Sequence, residues 1–258
     1  MEISHFERKG FQIFRSIIPD ATIRHIVNFL GKEVRSLLQD IRGKDSGESL
    51  QEISKFIQSS LGTETSNQNN RETLLLMTGH FPADVRLSQL LWKVADAPKL
   101  RCILEAIFGS KQLYMHMPPM ARFVLPGNIQ AGVPPHQDAA YNGHMSDFVT
   151  VWIPLVEIDK ECGGIRIYTD QIMELIPTTI MVANGVWIEG IDVSGMSAED
   201  MVPMTPGDVL VFNKFNIHAS LPNSSARIRY SMDCRFFSAN QTSSKHKLDL
   251  STFTICSP

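Results

Sequence analysis

The stretch RIRYSMDCRF, which runs from Arg227 to Phe236, decides the fold of this chain. Its odd-numbered positions are charged or polar, and its even-numbered positions are apolar or aromatic. Side chains of a β-strand point alternately to the two faces of a sheet, so this period of two predicts a strand with one polar and one apolar face. The polar face either contacts water, as one side of many antiparallel sheets does, or forms part of a binding site.

Two histidines and one aspartate upstream of this strand favour a binding site. His136 and Asp138 form an H-x-D motif, and His218 follows 80 residues after Asp138. In an extended segment, side chains two residues apart point the same way, so His136 and Asp138 can approach one metal ion. Two imidazoles and a carboxylate are the ligand set that holds non-haem Fe(II) and leaves positions open for other ligands. The motif by itself is weak, because a surface histidine beside a solvated aspartate gives the same pattern.

The neighbouring segments place both histidines near strand ends. A turn precedes His136, and a strand-like segment follows at 148–153. A turn at 206–208 and a buried strand at 209–212 come shortly before His218. Functional side chains are commonly held at such positions by a rigid scaffold. We therefore interpret the two histidines and the aspartate as candidates for one metal site.

An arginine and a serine indicate what the polar strand face binds. Arg229 lies eleven residues after His218, and Ser231 shares its strand face. A guanidinium and a hydroxyl on one strand face can bind the same carboxylate. Arg227, nine residues after His218, lies on the same face and is the competing candidate. The polar face is therefore predicted to belong to a binding site rather than to the solvent.

With these motifs, the chain resembles the phytanoyl-CoA dioxygenase-like branch of the Fe(II)/2-oxoglutarate-dependent oxygenases. The resemblance covers about residues 111–237, and Gly10-Phe11 followed by a helix is similar to the family's opening. One segment departs: after Gly163-Gly164 the family usually has a Pro-Gly-Ser-His turn, whereas this chain continues with Ile165. The matching motifs are His136-x-Asp138, Trp152, Gly163-Gly164, Pro206-Gly207-Asp208, His218-x-Ser220, Asn223-x-Ser225 and Arg229-x-Ser231.

The resemblance implies a set of cofactors and site residues. The cofactors would be Fe(II), 2-oxoglutarate as co-substrate, and O2, and no catalytic residue is expected beyond the metal site. The family's spacing selects Arg229 over Arg227 as the co-substrate anchor. The implied residues are His136, Asp138 and His218 for iron, Arg229 and Ser231 for the distal carboxylate of 2-oxoglutarate, and Trp152 and Thr150 for the co-substrate pocket.

The reaction that the resemblance implies is hydroxylation of an unactivated C–H bond in a small soluble metabolite, such as a biosynthetic or secondary-metabolite intermediate, with release of succinate and CO2. Desaturation, cyclisation and epimerisation use the same iron centre and stay open. Related halogenases replace the carboxylate ligand by a small residue, so Asp138 argues against halogenation. Two alternatives come from other classes. The first is a non-oxygenase cupin metalloenzyme, which would not need the Arg229 anchor. The second is a metal-free jelly-roll binding protein, in which the ordered spacing of His136, Asp138 and His218 would be a coincidence.

Three arginines are candidates for contact with an anionic substrate. Arg122 and Arg166 lie on predicted strands, and Arg227 lies beside the expected anchor. Arginine suits carboxylates because its planar donors match their geometry, although exposure to water is the commoner reason for an arginine on a strand. His116 and His144 are interpreted as structural or surface histidines rather than metal ligands.

Composition narrows the range of partners. The formal net charge is −3 and no run of Lys or Arg occurs, which predicts no nucleic-acid and no membrane partner. No signal sequence is recognisable, and no apolar run approaches the roughly 18 to 20 residues of a membrane span. Four scattered cysteines favour a reducing compartment. We expect a cytoplasmic protein that acts on a small molecule, with its oligomeric state left open.

The first third of the chain is predicted to be helical. Apolar residues recur at helical spacing from Ile23 to Ile41, with Asp20 as a candidate N-cap. A short helix is expected within 43–60 and a loop from Gly62 to Arg71. Two further helices are predicted over 84–95 and 96–108, the second with Pro98 in its first turn and Gly109 at its end.

Strands dominate the rest, so the fold class is mainly β with flanking helices. The expected architecture is a double-stranded β-helix, a cupin-like jelly-roll barrel packed against the N-terminal helices. Without repeats or linkers, residues 1–258 are expected to form one oxygenase domain: a helical part to about 110, a core over about 111–237 and a tail over 238–258. The eight predicted strands lie at 111–117, 120–126, 147–153, 163–168, 178–182, 186–191, 207–213 and 226–237.

Overall fold

The computed structural model describes residues 2–42, 71–183 and 186–258. The helix predicted within 43–60 lies outside these ranges, and so does the loop predicted over 62–71, apart from Arg71. In the described ranges the strands are β1 Phe11–Phe14, β2 Leu113–His116, β3 Met120–Val124, β4 Val149–Pro154, β5 Ile165–Tyr168, β6 Thr179–Ala183, β7 Val186–Gly190, β8 Ala198–Asp200, β9 Val209–Asn213, β10 His218–Ser220, β11 Arg229–Ser238, β12 Lys247–Asp249 and β13 Thr254–Cys256.

Eight of these strands form one large antiparallel sheet. Its order is β1-β9-β4-β11-β2-β12-β13, and β3 pairs with β11 alongside β2. The strand predicted from RIRYSMDCRF is β11, which lies at the centre and pairs with β4, β2 and β3. Three other strands form a second sheet in the order β10-β5-β8, and β6 pairs with β7 as a hairpin.

The two sheets pack face to face as a double-stranded β-helix, as the sequence predicted. One buried cluster joins them: Trp152, Leu210 and Phe212 of the large sheet contact Ile165 and Ile167 of the small sheet. Side chains on the inner faces of both sheets therefore share one enclosed space. This is the space in which ligands of a jelly roll are held.

The helices of the N-terminal part cover the outer face of the large sheet, whereas a short helix at Asp138–Tyr141 lies at one end of the barrel. Their bounds are α1 Ser4–Lys9, α2 Asp20–Arg42, α3 Arg71–Thr78, α4 Ala83–Arg86, α5 Gln89–Trp92, α6 Pro98–Phe108 and α7 Asp138–Tyr141, with 3-10 turns at Lys93–Asp96 and Ile129–Ala131. The stripe of α2 packs into the main core with the apolar face of β11, as Leu30 and Met232 show. Within the described part of the chain, no helix has both the length and the apolar character needed to cross a bilayer.

The two faces of β11 have different surroundings. Tyr230, Met232 and Phe236 belong to the core under the helices. On the opposite face, Arg229 and Ser231 are only 4% and 5% exposed, so this polar face points into the barrel rather than into water. The structure thus confirms that the polar face is not a solvent face.

Several sequence predictions differ from the structure in detail. The single helix predicted over 84–95 is wrong: Ser88 interrupts it and caps the next helix by accepting a hydrogen bond from the backbone N–H of Leu90. Five strands were not predicted, namely β1, β8, β10, β12 and β13. Each has three or four residues, which is too short for an alternating pattern to stand out. Two of them lie in 238–258, where only a tail was expected.

Leu30 offers a test of how α2 is held to the sheet. Leu30 is fully buried, so Leu30→Ala should lower the free energy of unfolding by about 2 to 5 kcal/mol through lost transfer energy and the cavity left behind. Asn28→Ala, an exposed position on the same helix, should change it by less than about 0.5 kcal/mol. Urea denaturation followed by circular dichroism measures both. Equal effects of the two substitutions would contradict the packing.

Candidate metal centre

The three predicted ligands converge at one end of the barrel. His218 is the first residue of β10, and His136 pairs with it as an isolated bridge in which each backbone N–H donates to the other carbonyl at 3.0 Å. Asp138 opens the short helix α7. One ligand atom from each of the three residues lies within 4.8 Å of the others, and all three residues are buried.

Both imidazoles are oriented by backbone carbonyls. The Nδ1 atom of His136 lies 2.8 Å from the carbonyl oxygen of Pro134, and Nδ1 of His218 lies 3.0 Å from that of Asn216. A carbonyl only accepts, so each Nδ1 carries the proton and each Nε2 keeps its lone pair free. Nε2 of His136 lies 3.8 Å from Oδ1 of Asp138. Burial, with the nearby His218, lowers the pKa of His136 to about 3, which keeps the ring neutral as a metal ligand must be.

The carboxylate of Asp138 has two partners on the large sheet. The Thr150 hydroxyl donates to Oδ2, and Nη2 of Arg235 donates to Oδ1 at 3.0 Å. Burial acts to raise the pKa of Asp138, but Arg235, the two histidines and the Thr150 hydrogen bond hold it well below its ordinary value. The group is therefore ionised at neutral pH.

Two neutral imidazoles with free Nε2 atoms and one ionised carboxylate fit a divalent transition metal with open coordination positions. The second partner of Asp138 was not predicted. Arg235 lies on the polar face of RIRYSMDCRF, which was the available signal, but no motif identified its role. Thr150 was predicted for the co-substrate pocket, and the structure instead places its hydroxyl on Asp138.

A narrow cavity lies beside these residues, lined by their neighbours on the same three strands. Residues two positions apart on a strand share a face. The cavity lining accordingly contains Trp152, two residues after Thr150, Ser220, two residues after His218, and Asp233, two residues before Arg235. The cavity has a volume of about 20 Å³. Its lining residues are Arg122, Val124, Trp152, Gly164, Ile165, Ser220, Arg229, Ser231 and Asp233.

Arg229 is fixed at the far end of this cavity. Its Nη1 atom donates to the carbonyl oxygens of Leu221 at 2.7 Å and Cys162 at 3.2 Å. Gly163 makes this approach possible, since it has a φ of +65° and a Cβ there would lie 2.2 Å from the Pro222 carbonyl oxygen. Burial lowers the pKa of Arg229 to about 10, so it remains a cation at neutral pH. The sequence motif placed Arg229 and Ser231 together, and the structure brings both to this cavity.

The other three predicted arginines have different surroundings. Arg166 lines a wider cavity of about 410 Å³ with Tyr168 and Ile129, and it forms a 2.6 Å ion pair with Asp200. Arg122 lines the narrow cavity. Arg227 is paired with Asp159 at 2.5 Å on the surface and lines neither of these two cavities.

The two histidines interpreted from the sequence as structural, His116 and His144, lie outside the group of three predicted ligands. The rings of His116 and His144 contact each other with centroids 4.8 Å apart. Among the described residues, the group of side chains that could hold a metal contains neither of them.

The fold and the site define a jelly-roll protein with a two-histidine, one-carboxylate cluster, the arrangement used by non-haem iron oxygenases. The family model for phytanoyl-CoA dioxygenase (PhyH) matches residues 6–231, so the chain belongs to the phytanoyl-CoA dioxygenase family.

One curated relative shares part of the sequence. Over 124 residues the chain is 36% identical to 1-deoxypentalenic acid 11-beta-hydroxylase of Streptomyces arenae. The aligned segment covers 44% of this chain and 42% of that protein. The match thus spans less than half of the relative's length.

Solved structures show the same fold. The epimerase SnoN, crystallised with Fe3+, alpha ketoglutarate and nogalamycin RO, matches with a TM-score of 0.60 at 17% identity, covering 93% of this chain and 83% of that one. The carbocyclase SnoK from nogalamycin biosynthesis matches with a TM-score of 0.60 at 12% identity, covering 93% and 84%. At these identities the likeness concerns the fold.

Metal binding by the triad can be measured directly. His218→Ala should reduce the affinity for nickel(II) or cobalt(II) by more than the roughly 10- to 100-fold that loss of an outer partner costs, because one of three ligands is gone. His246→Ala, at an exposed histidine, is the matched control and should bind as the wild type does. Calorimetric titration of metal-free protein gives both affinities. Unchanged metal affinity in His218→Ala would remove His218 from the ligand set.

Proposed function

We propose that this protein is an Fe(II)/2-oxoglutarate-dependent oxygenase that hydroxylates an unactivated C–H bond of a small metabolite. One observation carries the proposal: the narrow cavity lined by Ser220, two residues after the candidate ligand His218, also contains the buried cation Arg229. A dicarboxylate that binds a metal at one end needs such a cation at the other. Membership of the phytanoyl-CoA dioxygenase family supports the same reaction class.

The proposed roles follow from position. His136, Asp138 and His218 hold the iron through Nε2 atoms and a carboxylate oxygen. When bound, Fe(II) together with 2-oxoglutarate and O2 supplies C–H oxidation, with succinate and CO2 as by-products. Arg229 and Ser231 bind the distal carboxylate of 2-oxoglutarate.

The surrounding side chains orient the co-substrate and the metal ligand. Trp152, which is 2% exposed, forms a wall of the narrow cavity and excludes water. Thr150 acts through Asp138 rather than on the co-substrate, because its hydroxyl and Arg235 fix both carboxylate oxygens. Oriented ligands bind a metal more tightly, since less conformational freedom is lost on binding.

The wider cavity supports a class of substrate. Its walls are largely apolar, with Ile129, Val133 and Leu221 among them, and the cations in its lining are Arg166 and Arg229. A volume of about 410 Å³ lies within the range of roughly 300 to 1,000 Å³ for sites that take small organic ligands. We therefore propose a carboxylic acid with a mostly hydrocarbon skeleton. The hydroxylase relative from Streptomyces acts on 1-deoxypentalenic acid according to its name, which agrees with this class.

The alternatives fit the site less well. A non-oxygenase cupin gains nothing from a buried arginine at the far end of the cavity, and a metal-free binding protein does not need two imidazoles with free Nε2 atoms. Halogenation is disfavoured because Asp138 supplies the carboxylate ligand. Desaturation, cyclisation and epimerisation are distinguished from hydroxylation by the isotope experiment below.

We also propose that one domain carries this function in the cytoplasm. The four cysteines are unpaired in the structure, which suits a reducing compartment.

Arg229 and Arg227 form a matched pair on one strand. Arg229→Ala should raise the KM for 2-oxoglutarate roughly 30- to 700-fold. This corresponds to a loss of about 2 to 4 kcal/mol of binding free energy, because a buried charge-assisted pair loses one partner. Arg227→Ala should leave it within about twofold, since Arg227 pairs with Asp159 on the surface and lines neither cavity. Succinate formation at varied 2-oxoglutarate gives both constants. The reverse order of effects would exchange the two roles.

The reaction is tested with oxygen-18 gas. Iron-loaded protein is given 1-deoxypentalenic acid and other carboxylic acids with apolar skeletons, and succinate release identifies those that are turned over. Hydroxylation should place an atom from the gas in the product, which mass spectrometry detects. A product dehydrogenated, cyclised or epimerised without added oxygen would keep the oxygenase class and reject hydroxylation. Conversion without succinate would reject the class.

A further inference from the structure

Arg122 projects into the cavity that holds Arg229. It lies on β3 directly opposite Ser231 of β11, and directly opposite residues of an antiparallel pair share a face. Val124, two residues further along β3, is the cross-strand partner of Arg229. Arg122, Ser231 and Arg229 therefore occupy neighbouring positions on the inner face of two adjacent strands, and all three line the narrow cavity.

Contacts within the protein satisfy only some of the hydrogen-bond donors of the Arg122 guanidinium. Its Nη2 atom donates to the carbonyl oxygen of Ala131 at 2.6 Å and to that of Thr78 at 3.4 Å. These bonds tie the strand to the 3-10 turn Ile129–Ala131 and to the end of α3. The Nε atom is buried and has no hydrogen-bond partner among the described residues. A buried donor on a charged group is costly when it has no acceptor, so a site for an acceptor is indicated.

The charges around the cavity favour an anion. Arg122 and Arg229 contribute two cations, and the carboxyl of Asp233 lies on the same inner face. Asp233 attracts Arg122 electrostatically, yet no hydrogen bond joins them in the described part of the chain. Burial raises the pKa of Asp233, which disfavours its negative charge. The positive charge of the two arginines is thus incompletely balanced by the protein itself.

We propose that Arg122 is a second anchor for the distal carboxylate of 2-oxoglutarate, acting beside Arg229, and not a contact for the oxidised substrate. This inference rests on the proposed function. A carboxylate has two oxygens with about four acceptor positions, so it can accept from two guanidinium groups and the Ser231 hydroxyl together. Arg122 would then determine how strongly the site selects a dicarboxylate over a 2-oxo acid with an uncharged tail.

The sizes of the two cavities decide between co-substrate and substrate. The narrow cavity, at about 20 Å³, accommodates roughly one water-sized group, which suits the carboxylate end of a short diacid but not a metabolite skeleton. The wider cavity has the volume for a substrate, and Arg122 is absent from its lining whereas Arg166 is present. Arg227, which lines neither cavity, is therefore the matched control for an arginine outside the co-substrate site.

The test compares two ligands that differ in the distal carboxylate. Nickel(II)-loaded protein is titrated calorimetrically with 2-oxoglutarate and with 2-oxovalerate, which has the same chain length and an uncharged end. Arg122→Met should weaken 2-oxoglutarate binding roughly 10- to 100-fold, the loss expected for a charge-assisted hydrogen bond, and leave 2-oxovalerate within about twofold. Arg122→Lys should fall between wild type and Arg122→Met. Arg227→Met should bind both ligands as the wild type does.

Every other outcome contradicts either the proposed function or the anchor role of Arg122. If wild-type protein does not prefer 2-oxoglutarate to 2-oxovalerate, the proposed function itself fails. If it does and Arg122→Met keeps that preference, or weakens both ligands equally, Arg122 is not an anchor for the distal carboxylate. Should Arg122→Met fail to fold in thermal denaturation, Arg122→Lys decides: a wild-type ratio of the two affinities would overturn the proposal.

Discussion

The buried carboxylate of Asp138 constrains the rest of the structure. An ionised carboxylate out of water costs several kcal/mol unless charged and hydrogen-bonding partners surround it. Here the partners come from β4 and β11, where Thr150 and Arg235 are directly opposite each other in the pairing register. A one-residue slip of either strand would turn its own side chain, Thr150 or Arg235, to the helix-covered face. The geometry of the metal site and the register of the central strand pair thus depend on each other.

Strand β11 connects this constraint to the hydrophobic core. Its apolar face packs against α2 and its neighbours, while its polar face runs from Arg235 beside the metal ligands to Arg229 at the far end of the narrow cavity. One strand therefore sets the distance between the metal end and the anion end of the co-substrate site. Because the apolar face is anchored in a close-packed core, small movements of the polar face are resisted.

Much of the site was predictable, and the limits have physical causes. The H-x-D motif, His218 and Arg229 are short-range patterns, and the period of two in β11 showed which residues share a face. The bonds of Thr150 and Arg235 to Asp138 were not predictable, because they depend on which strands are neighbours and in what register. The ion pair between Arg227 and Asp159 on the surface was also not predictable from the sequence, because it joins residues far apart in the chain.

By itself, the sequence determined the mainly β fold class, the polar face of β11 and the residue types available to bind a metal and a carboxylate. Alternation and motif spacing are local properties that a strand expresses wherever it lies. The tertiary structure decided that the polar face points inward, that Arg122 joins Arg229 in the narrow cavity and that Arg166 lies in the wider one. Those outcomes depend on cross-strand pairing and on sheet-against-sheet packing, which arise only when distant segments of the chain meet.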